Sequence, residues 1–470
     1  MAGSKSSPCP EIAPETASSR LQHTLSAFLA ARLAPGERLC VGLSGGRDSV
    51  VLLHALDGLR VRGLVGALAA IHVDHGLSAN AGTWAGFCAE FCRQLGVPLD
   101  IVHVEVPRDD GEGIEAAARR ARHRVFAGCC ADWLALAHHQ DDQAETVLFR
   151  LLRGAGVAGA AGMPAERSQA GGPRLIRPLL DVPRTLIAGY AAENSLVWVE
   201  DESNADCRYR RSHLRQAVLP RIEEAFPAAA RTLARAAGHF AEAAALLDEL
   251  AQADRATVVG AGGRIDLLRF NALPPARARN LLRSELSAAG WRAPEARWLD
   301  EALRQFTTAG SDSQTCIATP DGEVNVYRRQ LYLCARRPPL PAAAISWFGE
   351  ARLAWGDLWV SFVPTVGAGV SRRLLGGTSV CLRRRQGGER LQVDARRPRR
   401  TLANLLQEAG VPPWERARLP LLWSDDRLIW VGGIGVDASF ACREGEAGIV
   451  VACESVASCP AVDRFIIGMP

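Results

Sequence analysis

The chain of 470 residues is poor in lysine, methionine and tyrosine: Lys5 is its single lysine, and it has 3 Met and 4 Tyr. Nearly all of its 55 basic side chains are therefore arginines, which suit forked phosphate contacts, but a net charge of +4 is too mild to assign a polyanionic partner by itself. No uninterrupted apolar run approaches the roughly 20 residues of a membrane span, and the first 20 residues lack the apolar core of a signal peptide. The chain is expected to be cytoplasmic, with no membrane contact. Its 13 cysteines are an odd, scattered set without one CxxC, which argues against a disulfide framework and against a zinc or iron–sulfur site. No lysine follows the glycines of the loop at 44–49, which excludes the GxxxxGK(S/T) type of phosphate loop.

What is present is a globular composition, 48% hydrophobic and 23% charged, with enough length for two to four domains. The stretch Leu39 to Leu56, LCVGLSGGRDSVVLLHAL, organises the rest. An apolar, strand-like run breaks at Ser44-Gly45-Gly46-Arg47-Asp48-Ser49 and resumes at helical spacing. Lacking a β-carbon, Gly45 and Gly46 can adopt positive φ and bring backbone N–H groups close to an anion. Ser44 and Ser49 add hydroxyls, and the helix beginning near Asp48 aims its positive end at the same spot. A phosphate chain fits there. Asp48 beside it makes sense if magnesium lies between carboxylate and phosphates. An ordinary strand-to-helix turn is the plain alternative. The loop resembles the SGGxDS pyrophosphate loop of the ATP pyrophosphatases, which, as the resemblance implies, cut ATP between its α and β phosphates and activate an oxygen as an adenylate.

Gly66 to Val73 reads as an apolar strand ending in HVDHGL, Gly82 to Leu95 as a helix and Leu99 to Val104 as a strand. GIEAAARRARHRVF follows as a helix, Trp133 to Ala137 as a buried strand and Asp141 to Leu152 as another helix. This alternation predicts a parallel sheet covered by helices, with ligands at the carboxyl ends of its strands. The 44–49 loop, His72 to Gly76 and Ala137 to Asp142 all fall at such ends. In the last of these, His138, His139, Asp141 and Asp142 stand at a strand exit, with Glu145 about one helical turn further on. Like charges so crowded call for a cation or a ligand, although a helix dipole alone also favours acidic first-turn residues. His72 to Gly76 could equally be a plain polar turn. Glu115, Arg119 and Arg122 lie near one helical face, the usual pattern of a solvated ion-pair ladder.

Taken in order, SGGRDS, VDHGLS, GIEAAARRAR, AHHQDDQAET, RPLL at 177–180 and EDESN at 200–204 follow one another as in the tRNA(Ile)-lysidine synthetases, and the chain resembles that family over roughly residues 35 to 452. The resemblance implies a Rossmann-like, parallel-sheet α/β PP-loop domain, then a helical middle domain and a small mixed α/β carboxy-terminal domain. It implies ATP-dependent adenylation of the carbonyl oxygen at C2 of the wobble cytidine in a tRNA(Ile) with a CAU anticodon. L-lysine then displaces AMP through its ε-amine to form lysidine. By position, Ser44, Gly45, Gly46, Arg47, Asp48, Ser49 and His72 would bind ATP, and Asp48 and Asp142 would hold Mg2+. Catalysis would rest on Asp48, Arg119, His138, Asp142 and Glu145. Arg119 and His138 would neutralise charge on the transferring phosphorus, while Glu145 and Asp141 would order the metal shell or the nucleophile. His139 receives no firm role.

Arginines cluster at 208–221 and 372–400. Arg211 and Arg215 match the family, although Ser212 and His213 stand where it usually has Asn and an apolar residue. The resemblance makes Arg211 and Arg215 contacts of the tRNA or of the triphosphate and Arg396, Arg397, Arg399 and Arg400 RNA contacts, with a solvated basic face as the alternative. The expected layout is a disordered leader at 1–20, a catalytic domain at 21–225, a helical linker and middle domain at 226–340, a carboxy-terminal tRNA-binding domain at 345–453 and a tail at 454–470. Helices are expected over Asn271 to Ala289 and Ala293 to Phe306, and a hairpin over Glu323 to Ala335. A tRNA thiolase sharing the loop would want a cysteine pair that is missing here. A silent RNA-binding protein would have no use for Asp48, Asp142 and Glu145. The oligomeric state, monomer or homodimer, stays open.

Overall fold

The computed structural model describes residues 16–78, 80–106, 113–168, 171–200, 210–260, 262–292, 294–309 and 315–455. The chain divides into two compact units, residues 1–249 and 250–470.

The first unit begins with α1 (Ala17–Ala30), whose N-cap Thr16 accepts the Ser19 N–H through its hydroxyl. The Glu193 carboxylate accepts the N–H groups of Ala17 and Ser18, each at 2.8 Å. Residues 16–20, expected within a disordered leader, instead start a helix, because both cap interactions satisfy donors that a helix end leaves open. Leu21, Leu25 and Leu29, one helical turn apart, are buried beneath it and contribute about 2 kcal/mol each. Residues 1–15 lie outside the described residues.

Then come β1 (Leu39–Gly42), α2 (Arg47–Val61), β2 (Leu68–Asp74), α3 (Ala81–Leu95), β3 (Leu99–His103), α4 (Ile114–Ala127), β4 (Trp133–Ala135), α5 (Gln140–Leu151), α6 (Val157–Ala160), β5 (Glu166–Arg167), β6 (Arg174–Ile176) and α7 (Arg184–Glu193). The strands lie in the order β3-β2-β1-β4-β6-β5, parallel except for β5, which runs antiparallel to β6. Central strands β1 and β4 are apolar on both faces, as a sheet covered by helices on both sides requires. Trp133 in β4 is almost fully buried, yet its indole N–H donates to Glu37 at 2.7 Å. Because β1 has β2 on one side and β4 on the other, the winding reverses there. A crevice opens at their carboxyl ends.

Of the acidic run EDESN, residues 201–204 lie outside the described residues, as do Arg208 and Tyr209. α8 (Arg210–His213) runs into a π-helical turn at Leu214–Val218 before α9 (Leu219–Ala225) and the 30-residue α10 (Ala229–Val258). Pro220 explains the widened turn: it has no N–H to return to the preceding helical carbonyl, so the ladder shifts by one residue.

In the second unit, α11 (Leu267–Asn271), α12 (Pro275–Ala288) and α13 (Ala296–Thr308) precede a three-stranded sheet of β7 (Cys316–Ala318), β8 (Gly322–Tyr327) and β9 (Gln330–Ala335). The helix expected over 271–289 starts four residues later, at Pro275, because Asn271 ends the separate α11 and a proline fits the first helical position, where no N–H is needed. Phe270 and Phe306 meet edge to face at 6.0 Å in its core. Beyond residue 344 there is a five-stranded antiparallel sheet, in the order Ile345–Trp347, Val380–Arg383, Leu421–Ser424, Arg427–Val431, Gly435–Val436, and a four-stranded sheet built on Leu358–Val366 and Ala447–Ser455. They share a core of Trp355, Val360, Phe362, Leu382, Leu422 and Ile429. The last strand pairs as far as Ser455, two residues into the expected tail, because Leu358 and Trp359 extend the ladder opposite it. Residues 456–470 lie outside the described residues. Among the described residues no helix is long and apolar enough to cross a membrane.

Candidate active site

The loop after β1 is braced from within and from below. Gly45 has φ +85°, and a β-carbon there would come within 2.7 Å of Val199 Cγ2, so only glycine fits. The Val199 N–H donates to the Gly45 carbonyl at 3.0 Å, which ties the segment leading into EDESN to the loop. The Ser49 hydroxyl donates to the Gly46 carbonyl at 2.9 Å and accepts the Ser44 N–H at 3.2 Å. His72 is buried under the loop rather than open to the crevice, and its Nδ1–H donates to the Leu43 carbonyl at 2.9 Å. Cys88 Sγ lies 3.5 Å from the same nitrogen. The α2 amino terminus, with Arg47 and Asp48 in its first turn, faces the crevice mouth.

Across from the loop, α5 starts at its N-cap His139, whose N–H donates to Asp142 Oδ2 at 3.1 Å. His139 Nε2 lies 3.5 Å from Asp48 Oδ2 and 3.5 Å from Asp142 Oδ2, so one buried imidazole spans the two carboxylates. Burial alone would lower its pKa, but Asp48, Asp142 and Asp141 outweigh this and hold it above the ordinary value. Asp48 is the mirror image: burial pushes it up, yet His139 and Arg47 keep it below the usual carboxylate range. Asp141 Oδ2 accepts the Arg184 N–H at 3.1 Å and so fastens α7 to the site. Buried Glu145 is raised by desolvation, against the pull of Arg215.

Arg215 enters from the π-helical turn. Its Nε and Nη2 donate to the two oxygens of Glu145 at 2.5 and 2.9 Å, and Nη2 also donates to Asp142 Oδ1 at 3.1 Å. The sequence places this arginine among the expected RNA contacts. Its partners are 70 and 73 positions away, and no local signal reveals such a pairing. His139 is visible in the sequence beside the acidic run, but nothing there assigns it a role.

The structure therefore gathers Asp48, His139, Asp141, Asp142, Glu145 and Arg215 into one charged crevice. Among the described residues no group of three ligands forms a ready metal cage. Magnesium does not need one, since it is commonly held by one or two carboxylates together with substrate phosphates. The hard oxygens of Asp48 and Asp142, both facing His139 Nε2, fit that pattern. Arg119, on α4, and His138, after β4, lie close enough together for the arginine to depress the imidazole, at the basic side of the same strand ends. Arg211 lies with its guanidinium 5.8 Å from the Phe149 ring centre. The Glu115 side chain lies outside what is described.

The four carboxy-terminal arginines are not equivalent. Arg399 donates to the fully buried Asp437 at 2.8 Å, and Arg400 pairs with Glu408. Arg397 makes only a 3.6 Å ion pair with Asp394, and the Arg396 backbone N–H is held by that same carboxylate. Both side chains are exposed.

A glycine-shaped loop at the switch point of a parallel sheet, facing paired carboxylates, marks an ATP-using domain of the pyrophosphate-loop class, and residues 16–222 match the family model of the PP-loop domain. Residues 266–332 match the TilS substrate binding domain and 380–453 the TilS substrate C-terminal domain. The tRNA(Ile)-lysidine synthase of Nitrosomonas europaea is 43% identical over 429 residues, covering 90% of this chain and 93% of that protein. That of Aromatoleum aromaticum is 46% identical over 425 residues, covering 90% and 99%. The chain belongs to the tRNA(Ile)-lysidine synthase family, whose members are ligases. Among solved structures, a U34-tRNA thiolase, NcsA from Methanococcus maripaludis, overlaps with a TM-score of 0.41 at 19% identity, over 47% of this chain and 79% of that one.

Proposed function

We propose that this chain uses ATP to join L-lysine to C2 of the wobble cytidine of tRNA(Ile) with a CAU anticodon, through an adenylated cytidine, releasing AMP and pyrophosphate. The observation that supports it most is the set of facing groups at the sheet's switch point, the 44–49 loop on one side and Asp142 and Glu145 on the other, in a chain of this family. The glycine-rich turn at 44–49, braced by its own Ser44 and Ser49 hydrogen bonds, and the α2 amino terminus cradle the ATP phosphates. Asp48 and Asp142 are the groups that would hold Mg2+, which when bound supplies charge neutralisation at the phosphates. His72 sets the loop from beneath. Arg119 and His138 face the transferring phosphorus, while Glu145 and Asp141, fixed by Arg215 and the α7 amino terminus, order the incoming amine. Residues 21–225 are assigned to activation. Residues 226–340 and 345–453 are assigned to holding the tRNA, with Arg396, Arg397 and Arg400 among the contacts, joined by Arg211 from the first unit, and Arg215 at the junction of RNA and crevice; Arg399 is kept by Asp437. We place the protein in the cytoplasm, as a monomer or homodimer.

Incubation with labelled lysine, ATP and bulk tRNA, followed by nucleoside analysis, tests the reading. Label should appear in a modified cytidine alone, with one AMP formed for each lysine joined. Label in any other nucleoside overturns the assignment.

A further inference from the structure

At the amino ends of β1 and β4, away from the crevice, two thiols face each other. β1 alternates: Leu39 and Val41 belong to the core on one face of the sheet, whereas Cys40 belongs to a smaller core on the other, with Phe126, Leu134 and Leu136. Cys129, which follows the end of α4, packs against that same smaller core. Backbone hydrogen bonds fix it there. The Cys129 N–H donates to the Phe126 carbonyl at 3.3 Å, and the N–H groups of Asp132 and Trp133 both donate to the Arg38 carbonyl at 3.1 Å, two residues before Cys40. The Asp132 carboxylate accepts the Arg38 N–H in return, at 2.8 Å. The turn at 129–132 is thus pinned to the start of β1, and the Cys40 thiol donates a hydrogen bond to Cys129 Sγ. Both cysteines are free; Cys40 is buried and Cys129 half-buried, so a small solute reaches the second before the first.

The two thiols differ in chemistry. The hydrogen bond from Cys40, helped by the Ala131 backbone and the charge of Arg38, holds the Cys129 thiol down at about 7 against its partial burial. The same contact, together with burial, pushes Cys40 far up. Burial by itself takes Cys92 to about 11. At neutral pH about half of Cys129 is therefore thiolate, the nucleophilic form, against a few per cent for an ordinary cysteine. Cys40, kept protonated beside it, stands where a second thiol must stand to close a disulfide.

We propose that Cys129 and Cys40 form a peroxide-responsive thiol pair, in which Cys129 is oxidised first and Cys40 then closes a reversible disulfide. The Cys129 thiolate attacks a hydroperoxide and the O–O bond breaks: one oxygen goes to sulfur as hydroxyl, and the other leaves, once protonated, as water or alcohol. Sulfur is oxidised to a sulfenic acid, and the peroxide is reduced. The Cys40 sulfur then attacks the sulfenic sulfur; the S–OH bond breaks, the thiol proton leaves with the hydroxyl as water, and the S–S bond forms. A dithiol reductant returns both thiols. In a reducing compartment such a bridge is transient, not structural. It ties the turn before β4 to the strand that carries the 44–49 loop, and it involves none of the groups assigned to the reaction above.

The full chain, reduced and then treated with equimolar hydrogen peroxide, is to be alkylated and digested with trypsin in the absence of reductant. Cleavage after Arg38, Arg47, Arg124 and Arg150 releases residues 39–47 and 125–150, which should be found joined, and dithiothreitol should separate them. Cys129→Ser should abolish the joined pair and slow peroxide-driven thiol loss by about tenfold, the scale of the gap in thiolate fraction between such a thiol and an ordinary one. Cys130→Ser should leave both unchanged. Cys40→Ala, which keeps the core apolar, should leave Cys129 as a sulfenic acid that dimedone traps. Melting of each reduced variant near the parent temperature separates these outcomes from a loss of folding, and the peptide map of the parent stands without any variant. Joined peptides that never form, that persist in Cys129→Ser or that vanish in Cys130→Ser overturn the pair. None of these readouts requires lysidine formation, so failure of the proposed reaction would leave the thiol pair standing.

Discussion

Two arginine-bearing regions of this chain look alike in sequence and differ in physics. In the amino-terminal unit, Arg215 is drawn onto Glu145 and Asp142, and Asp142 is itself bound to the His139 backbone N–H. In the carboxy-terminal unit, the run from Arg396 to Arg400 splits: Arg399 is anchored to the buried Asp437, Arg400 pairs with the exposed Glu408, and Arg396 and Arg397 reach outward. A basic cluster is therefore not a single kind of object. An arginine facing a buried carboxylate is committed to the fold or to the site. One without such a partner keeps its donors for an external anion, where each phosphate it grips adds a salt-dependent share of affinity.

Removing a carboxylate from the crevice should have the largest effect. Asp48→Ala is expected to lower lysine incorporation by about 10³-fold, the scale of removing a main electrostatic partner of the reacting group. Melting should stay near that of the parent, because the Asp48 carboxylate faces the crevice and supports no part of the apolar core. Comparable turnover at ordinary magnesium would remove Asp48 from the site.

The carboxy-terminal run can then be divided. Arg396→Ser with Arg397→Ser should weaken tRNA binding and lower its salt slope by about 1 for each phosphate no longer held, with unchanged melting and ATP affinity. Arg399→Ser should instead cost about 1–3 kcal/mol of stability, because Asp437 is left buried without its charged partner. If the two substitutions behave alike in both filter binding and thermal melts, the distinction between anchored and outward arginines is wrong.

The smallest effect concerns pH. His138 and His123 have pKa values depressed to about 3 and about 4, so between there and the ordinary imidazole value near 6.5 the unfolded chain binds more protons than the folded one. Their neutral forms are fully tolerated above that value, and stability falls as pH drops through it. Melting temperature should decline from pH 7 to pH 5, and His123→Gln should flatten part of that decline. An unaltered slope would mean that the imidazoles remain free to charge in the folded state.

Much of this is readable in one dimension. The strand, glycine loop and helix at 39–56 follow from local rules: an apolar run, residues able to take positive φ, and a dipole end that attracts anions. The order of motifs carries the family, and the alternation of strand and helix carries the parallel sheet. Boundaries move where local chemistry is subtler, as at Thr16, whose cap starts a helix inside the expected leader, and at Pro274 and Pro275, which set the start of α12 four residues after the expected one.

Only the tertiary structure decided which charges meet. Nothing near Arg215 in the sequence points to Glu145, because that pairing depends on α8 and its π-helical turn folding back over α5. Nothing near Arg399 points to Asp437, 38 positions away, or near Arg177 to surroundings dominated by other arginines. Residue type and local spacing specify what a side chain can do and which element carries it. Whether its charge is spent inside the protein or kept for a ligand depends on the partners that distant segments bring and on the water they exclude, and both are properties of the packed chain.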